Sequence, residues 1–410
     1  MWLSQLRLVN FRNLHRLTLE LQPGIALFVG HNGQGKTNLL ESVYVLATTR
    51  SPRTSAEREL VTWQSTGPDR ELADFVAPFT RLEGRVQRRH GEVHLEVLFK
   101  GESAGVAEDV HEWSTAGEVA VPLTRVVKVD GLPRRATELI GNLPVVYFSP
   151  GDVVLAGGPP SGRRQYLNIA NSQTARGYMR ALQRYNRVLL QRNQVLRQIR
   201  ERRQPRAALE PWTEELITTG VAILRQRLAM VDSLNGRAGA IFRDLTGTDQ
   251  ELRIVYRCTA GDAAGGPEGE LAAPFRARQE AVAAREVDQA ASLVGPHRDD
   301  FVFMLGGVDL NTYGSRGQQR LAVLALKLAE VDWMGGALGE PPVLLLDDVL
   351  SELDPRNRGY VVDRVARVAV EHAPLAGQVW ITTSDAAGFS GDLLASSQTF
   401  EIDAGQVRRA

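Results

Sequence analysis

The stretch Gly30-His31-Asn32-Gly33-Gln34-Gly35-Lys36-Thr37 decides how this 410-residue chain is read. It follows the apolar run Ile25-Ala26-Leu27-Phe28-Val29, which reads as a buried strand. It precedes Leu39, Leu40, Val43, Leu46 and Ala47, which recur at helical spacing. Strand, glycine loop and helix in this order are the layout of a P-loop. Glycine lets the backbone turn tightly enough for its N–H groups to face phosphate oxygens, and the helix N-terminus adds partial positive charge. The spacing predicts a phosphate cradle over Gly30, His31, Asn32, Gly33, Gln34, Gly35, Lys36 and Thr37. Lys36 is placed to reach the β- and γ-phosphates, and the Thr37 hydroxyl to ligate Mg²⁺. Taken alone, the stretch also fits a plain glycine turn before a helix.

The whole chain narrows the choice. Its length calls for two lobes or more. A hydrophobic fraction of 43% suits a soluble globular protein. No apolar run approaches the roughly 20 residues that cross a bilayer, so no membrane partner is expected. The first residues, Met1-Trp2-Leu3-Ser4-Gln5-Leu6-Arg7, lack a signal-peptide layout, so a cytoplasmic location is expected. One cysteine, Cys258, excludes an internal disulfide and a cysteine metal site. Basic and acidic residues balance at 48 each, so charge speaks only where it is local.

Along the chain, residues 3–10 read as a strand, and Leu17, Leu19 and Leu21 alternate before the turn Gln22-Pro23-Gly24. Residues 81–99 read as a hairpin, residues 100–122 as a long loop, and Val126 to Val129 with Asp130-Gly131 as a further hairpin. Val145 to Phe148 is a short buried strand. Composition changes near residue 160. Between Arg163 and Arg206 stand twelve arginines, and the one acid among them is Glu201. Leu182, Tyr185, Leu189, Leu196 and Ile199 keep a heptad rhythm with Arg192 at the missing step. Ile217, Val221, Leu224, Leu228, Val231, Ala238, Phe242 and Leu245 repeat the rhythm with Asn235 at its polar step. Two such helices joined through Pro205 and Pro211 predict a short antiparallel helical hairpin. A strand at 252–256, a flexible loop at 260–274, a helix over about 275–291 and a strand at 301–305 follow.

Three later stretches bear on the kind of P-loop protein. Ser315-Arg316-Gly317-Gln318-Gln319 opens a helix, where a hydroxyl and backbone N–H groups can face an anion, although serine there is commonly a plain N-cap. Val343-Leu344-Leu345-Leu346-Asp347-Asp348 is an apolar strand ending in two acids, the Walker B layout. Asp347 is placed to hold Mg²⁺ and Asp348 to polarise an attacking water. Ser351-Glu352-Leu353-Asp354-Pro355 ends with Asp354 as N-cap and Pro355 at the first helical position.

In this order the four stretches resemble the head of ABC-type ATPases. Asn10-Phe11-Arg12-Asn13 and Lys36-Thr37-Asn38-Leu39-Leu40-Glu41 resemble the SMC branch of that group. Within it the chain closely resembles the RecF family of bacterial DNA-repair ATPases. The residues that carry this are Phe148-Ser149-Pro150 with Asp152, Gly158-Pro159-Pro160 with Arg163-Arg164 and Leu167, Gly295-Pro296-His297-Arg298-Asp299-Asp300, and Leu346 to Asp354.

The resemblance implies an α/β, SMC-like ABC ATPase head with a strand-rich subdomain and a second, helical lobe containing the hairpin. The expected boundaries are 1–155 for the first part of the head, 156–250 for the helical lobe and 251–410 for the second part of the head. It implies that ATP with Mg²⁺ drives homodimerisation and that slow hydrolysis releases it. Ser315 and Gly317 of one copy would then close on the nucleotide held by Lys36 of another, and Arg12 would join the nucleotide contacts. Single-stranded, gapped or junction DNA, RecR as partner and RecA loading as the outcome are implied in the same way. Arg184, Arg187, Arg197 and Arg200 are the candidate DNA contacts. The chain departs from the ABC pattern at Asp348, where a Glu is usual, at Arg316, where a Gly is usual, and after Trp380-Ile381, where no switch His follows and either Thr382 or Thr383 is expected in its place. An ABC transporter ATPase subunit and a P-loop small-molecule kinase are the competing readings.

Overall fold

A computed structural model describes residues 1–62, 79–101, 123–261, 270–350, 353–370, 377–386, 389 and 391–410. Along the chain run β1 (Trp2–Phe11), β2 (Leu14–Glu20), β3 (Gly24–Val29), α1 (Lys36–Thr48), β4 (Phe79–Arg88), β5 (Gly91–Gly101), β6 (Leu123–Val129), β7 (Leu132–Arg134) and β8 (Val145–Phe148). Then come α2 (Pro160–Thr174), α3 (Arg176–Arg200), α4 (Glu210–Thr246), β9 (Leu252–Arg257), α5 (Ala272–Gln289), β10 (Asp300–Leu305), β11 (Val308–Asp309) and α6 (Arg316–Leu338). The chain closes with β12 (Val343–Asp347), α7 (Pro355–Val370), β13 (Gln378–Thr383), β14 (Gln398–Asp403) and β15 (Gln406–Arg409). Residues 102–122 of the loop expected over 100–122 and 262–269 of the loop expected over 260–274 lie outside the described residues, as do Ser351 and Glu352, and α5 begins at Ala272 within the second of these loops.

The chain divides into two compact units, Met1–Ser149 with Gly339–Ala410, and Pro150–Leu338. This differs from the division expected from sequence, in which the helical lobe ends at 250. Residues 251–338, including the helix that Ser315 opens, pack with the helical unit. Two contacts show why. The Lys327 ammonium on α6 lies 4.8 Å from the ring centre of Tyr166 on α2, and the Tyr166 ring meets Phe301 on β10. An apolar helix face read from sequence does not say which neighbour covers it.

In the first unit, one sheet has the order β2-β1-β4-β5-β6-β7, and its neighbouring strands pair antiparallel. The other has the order β15-β14-β3-β13-β12-β8 and is parallel except at β14–β15. The near-continuous apolar runs of β3, β8 and β12 are what a strand buried on both faces requires, and β13 is buried throughout although it carries Gln378, Thr382 and Thr383. Helix α1 is buried from Leu39 to Thr48, so it is covered on every side. Leu39, Leu40, Val43 and Leu46 are fully buried, each worth about 1.5–3 kcal/mol. Gly84 on β4 makes room for the helix, because a Cβ there would come within 2.5 Å of the Leu46 side chain.

The second unit carries the helices and the sheet β11-β10-β9. Helices α3 and α4 are antiparallel, since Arg192 meets Thr213 while Arg227 meets Tyr178. Arg192, the odd step of the heptad, is buried and binds Glu286 of α5 at 2.7 Å, with Gln279 and Ser292 completing its bonds. The expected two-helix hairpin is therefore packed by a third helix. Asn235, the odd step of α4, bonds both the N–H and the C=O of Ile254 and so occupies the free edge of β9.

Candidate functional site

The P-loop emerges from β3 at the carboxyl end of a parallel sheet, where open α/β sheets bind ligands. Gly30 is forced, because a Cβ there would lie 2.3 Å from the carbonyl oxygen of Ile402. Gly35 adopts φ 112° as it enters α1, a backbone state that side chains disfavour. The back of the loop is fastened twice. Asn13 donates to the Gln34 carbonyl at 3.1 Å and accepts from Asn38 at 2.8 Å. The backbone N–H groups of Ala404 and Gly405, in the β14–β15 turn, donate to the side-chain and main-chain oxygens of Gln34. His31, Asn32 and Gly33 are left exposed.

Lys36 is 6% exposed and donates to the carbonyls of Gly30 at 2.5 Å and His31 at 2.9 Å. Burial lowers its pKa, and the carboxylates of Asp348 and Asp347 act in the opposite sense. Asp347 ends β12 in register with Thr382 of β13, and Thr382 is in register with Phe28 of β3. Asp347 collects three hydroxyls: Thr37 at 3.0 Å and Thr382 at 2.9 Å on Oδ1, and Tyr147 at 3.0 Å on Oδ2. Burial raises its pKa, which these three hydrogen bonds oppose. Among the described residues no group of three or more His, Cys, Asp and Glu gathers as a metal cage. One carboxylate beside one hydroxyl nevertheless fits Mg²⁺, which usually keeps several waters and takes phosphate oxygens for the rest.

Thr382 and Thr383, either of which is expected in place of a switch histidine, are both engaged. Thr382 is 1% exposed and points at Asp347. The Thr383 hydroxyl donates to the Asp385 carbonyl and accepts from the Asp385 N–H. Arg12, expected among the nucleotide contacts, directs Nε and Nη2 at Glu41 of α1, at 3.1 and 2.8 Å. Glu41 is fully buried and also receives Ser51 and Arg53. The arginine thus braces the P-loop helix through Glu41. Asp354 caps α7 as expected, accepting from the Asn357 N–H at 3.0 Å.

Ser315 and Gly317 belong to the Pro150–Leu338 unit, whereas Lys36, Thr37, Asp347 and Asp348 belong to the other. The Ser315 hydroxyl accepts from the Gln318 N–H, and the Gln318 side chain accepts from the Ser315 N–H, a reciprocal capping box. Ser315, Arg316 and Gly317 are all exposed, as is Tyr313 beside them.

The arginines divide into two kinds. Arg163 binds Asp300 through two nitrogens, Arg164 donates to the Asp299 carbonyl, and Arg192 is buried. Of the candidate DNA contacts, Arg184, Arg187, Arg197 and Arg200 are exposed, and Arg184 is ion-paired with Glu215. At 3.6 residues per turn, Arg197 and Arg200 lie about 80° and 140° around α3 from Arg187. The four therefore do not share a face. Arg176, Arg180, Arg187 and Gln194 do, all exposed and within about 40° of one another.

Gly295-Pro296-His297-Arg298-Asp299-Asp300 turns out to tie the helical unit together. Arg227 of α4 donates to the Pro296 carbonyl at 2.7 Å, to Tyr178 and to Asn168. Asp299 accepts from Tyr256 and Thr259. His297 Nε2 lies 3.0 Å from the Ser292 carbonyl, so it is the donor there, and Nδ1 accepts from the Tyr185 hydroxyl at 2.7 Å. Burial pushes the His297 pKa down to about 4. No local sequence signal announces Arg227 or Thr382, whose partners stand 29 to 69 and 34 to 36 residues away.

Residues 2–389 match the family described as RecF/RecN/SMC N terminal domain. The DNA replication and repair protein RecF of Chloroflexus aurantiacus is 42% identical over 415 residues, covering 99% of both chains. The chain belongs to the RecF family. The RecF of Halalkalibacterium halodurans is 32% identical over the full length of both. A solved RecF–ATP structure, of the recombination mediator protein in the RecFOR pathway, superposes with TM-score 0.82 at 29% identity, covering 100% of this chain and 97% of that one. An Smc head from Pyrococcus furiosus, at TM-score 0.54 and 12% identity, shares the fold. The ABC-type, SMC-like head expected from the sequence is thus borne out. Among the described residues no helix is long and apolar enough to cross a membrane.

Proposed function

We propose that this RecF-family chain is an ATP-switched DNA clamp of recombinational repair and replication-fork maintenance. The observation that carries the reading is the Thr37–Asp347 contact at 3.0 Å beside a buried Lys36, at the carboxyl end of a parallel sheet. Lys36 exchanges its two loop carbonyls for the β- and γ-phosphates, and the N–H groups from Gly30 to Thr37 cradle them. Thr37 and Asp347 hold Mg²⁺, which when bound neutralises phosphate charge. Asp348 polarises the attacking water. Its carboxylate is one methylene shorter than the usual Glu, which favours turnover well below the common ~10 s⁻¹. Ser315 and Gly317 of a second copy complete the site across a two-fold dimer.

The exposed stripe of Arg176, Arg180 and Arg187 on α3 supports phosphate contacts, with Arg184 beside it. Arg197 and Arg200 extend the contact only where DNA wraps the end of the helix. Single-stranded, gapped or junction DNA is the proposed ligand, RecR the proposed partner, and RecA loading the proposed outcome. Molecular mass in solution tests the reading, measured with ATP, ADP or no nucleotide, each with and without gapped DNA. A dimer that forms with ATP, is retained on DNA and is lost in Lys36→Met is expected. A mass that ignores ATP, or an ATP dimer that Lys36→Met still forms, refutes it.

A further inference from the structure

The two acids at the end of β12 are joined through one hydroxyl on the neighbouring strand. The Asp348 N–H donates to Thr382 Oγ1 at 2.9 Å, and Thr382 Oγ1 is 2.9 Å from Asp347 Oδ1. A hydroxyl has one proton. The Leu346 carbonyl is its other acceptor in reach, at 3.4 Å, so the shorter, charge-assisted bond to the carboxylate takes the proton. The result is a directed chain, Asp348 N–H to Thr382 to Asp347. Asp348 needs this support, because its φ of 52° puts a non-glycine residue in the left-handed region. Thr382 is 1% exposed, so it acts through Asp347 and the backbone of Asp348 rather than from solvent.

We propose that Thr382 is a positioning residue: its hydroxyl fixes the backbone of Asp348 to the carboxylate of Asp347, so that the water-polarising side chain departs from a set direction. This rests on the hydrolytic reading of the site. Because Oδ1 of Asp347 also accepts from Thr37, Thr382 links the P-loop helix and both acids through one carboxylate oxygen. A residue that only filled space here would be replaced without loss by an isostere lacking the hydroxyl.

The test compares Thr382→Val, Thr382→Ala and Thr382→Ser in the full chain, with two readouts. The first is steady-state ATP hydrolysis. Thr382→Val is expected to lower kcat about 10- to 100-fold while KM for ATP stays within about threefold, and Thr382→Ser to restore kcat. The second does not depend on activity. The chain has two Asp-Asp pairs, Asp299-Asp300 and Asp347-Asp348. Carbonyl-¹³C, ¹⁵N-aspartate labelling therefore gives two filtered amide signals, and Asp348→Asn removes the relevant one. The Asp348 amide is expected to exchange at least about tenfold faster in Thr382→Val and at the parental rate in Thr382→Ser. Should Thr382→Val fold poorly, Thr382→Ala against Thr382→Ser isolates the same hydroxyl. An unchanged kcat in the valine variant, a serine variant as slow as valine, or an Asp348 amide indifferent to all three overturns the proposal. If the parental chain hydrolyses no ATP, the hydrolytic reading fails by itself, and the amide exchange still decides whether Thr382 holds Asp348.

Discussion

Replacing Arg176, Arg180 and Arg187 together by glutamine removes the positive charge from one stripe of α3 without adding repulsion. The three stand within about 40° of each other on an exposed helix face. Their separations of four and seven residues set them about 6 and 10 Å apart along the axis, so each can meet its own phosphate. Each phosphate contact on duplex DNA contributes about 0.9 to the slope of log affinity against log salt, so the triple variant loses about 2.7 from that slope for each chain that contacts the DNA. Between 50 and 200 mM salt, the ratio of parental to variant affinity should then fall about 40-fold for each such chain. Fluorescence anisotropy with a gapped duplex, titrated at four or more salt concentrations in saturating ATP, measures it. A second variant, Arg197→Gln with Arg200→Gln, lies around the helix and should change the slope by less than about 1 per chain. Parallel salt dependences for parent and triple variant would mean that the stripe is merely a solvated face. A larger change in the Arg197–Arg200 pair would put the DNA on another side of the helix.

Arg192→Met should cost about 3–5 kcal/mol in urea unfolding of the helical unit, because it leaves Glu286 buried without its cation; a loss below about 1 kcal/mol would contradict the burial argument. Acid should weaken the same unit through His297. The unfolded chain takes up that proton near pH 6.5 and the folded one near 4, so full stability holds above about 6.5 and up to about 3 kcal/mol is lost as pH falls to 4. His297→Gln should flatten stability against pH over that window, and an unchanged profile would assign the acid response elsewhere. Mixing Lys36→Met with Ser315→Arg should restore about a quarter of parental hydrolysis, because in the proposed two-fold dimer both lesions would fall in one site. Heterodimers that form yet remain inactive would place Ser315 outside the partner's site.

What could be read in advance was what is written locally. The glycine loop, the apolar strand ending in Asp347 and the cap at Asp354 each occupy consecutive residues whose types state their backbone geometry. Arg192 and Asn235 announced themselves as polar interruptions of an apolar rhythm, and both proved to be cross-links. The unit boundary at 338 was not legible, because helix periodicity shows that a face is buried and not what buries it. The Thr382 bridge was hidden for a related reason. It depends on strand register between segments 35 residues apart, and threonine is common in strands for its shape alone. The charge run misled in part, since Arg163 and Arg192 look like Arg176 in sequence but are buried against an acid, whereas Arg176 is exposed.

The position of β3 in its sheet has a consequence for how the chain is made. Its two neighbours are β13 and β14, which begin at Gln378 and Gln398. The loop that follows β3 is fastened by the turn at Ala404 and Gly405. The phosphate cradle lies near the start of the chain, yet every strand that flanks it is translated about 350 residues later. At synthesis rates of roughly 5–20 residues per second, β3 waits on the order of 20–70 s for a partner. During that interval the helical unit, complete at Leu338, can already be folded. The nascent chain can therefore acquire its helical arm before it can bind a nucleotide, and a stop between Thr383 and β14 would leave Lys36, Thr37, Asp347, Asp348 and Thr382 in place while removing the strand and turn that flank the loop.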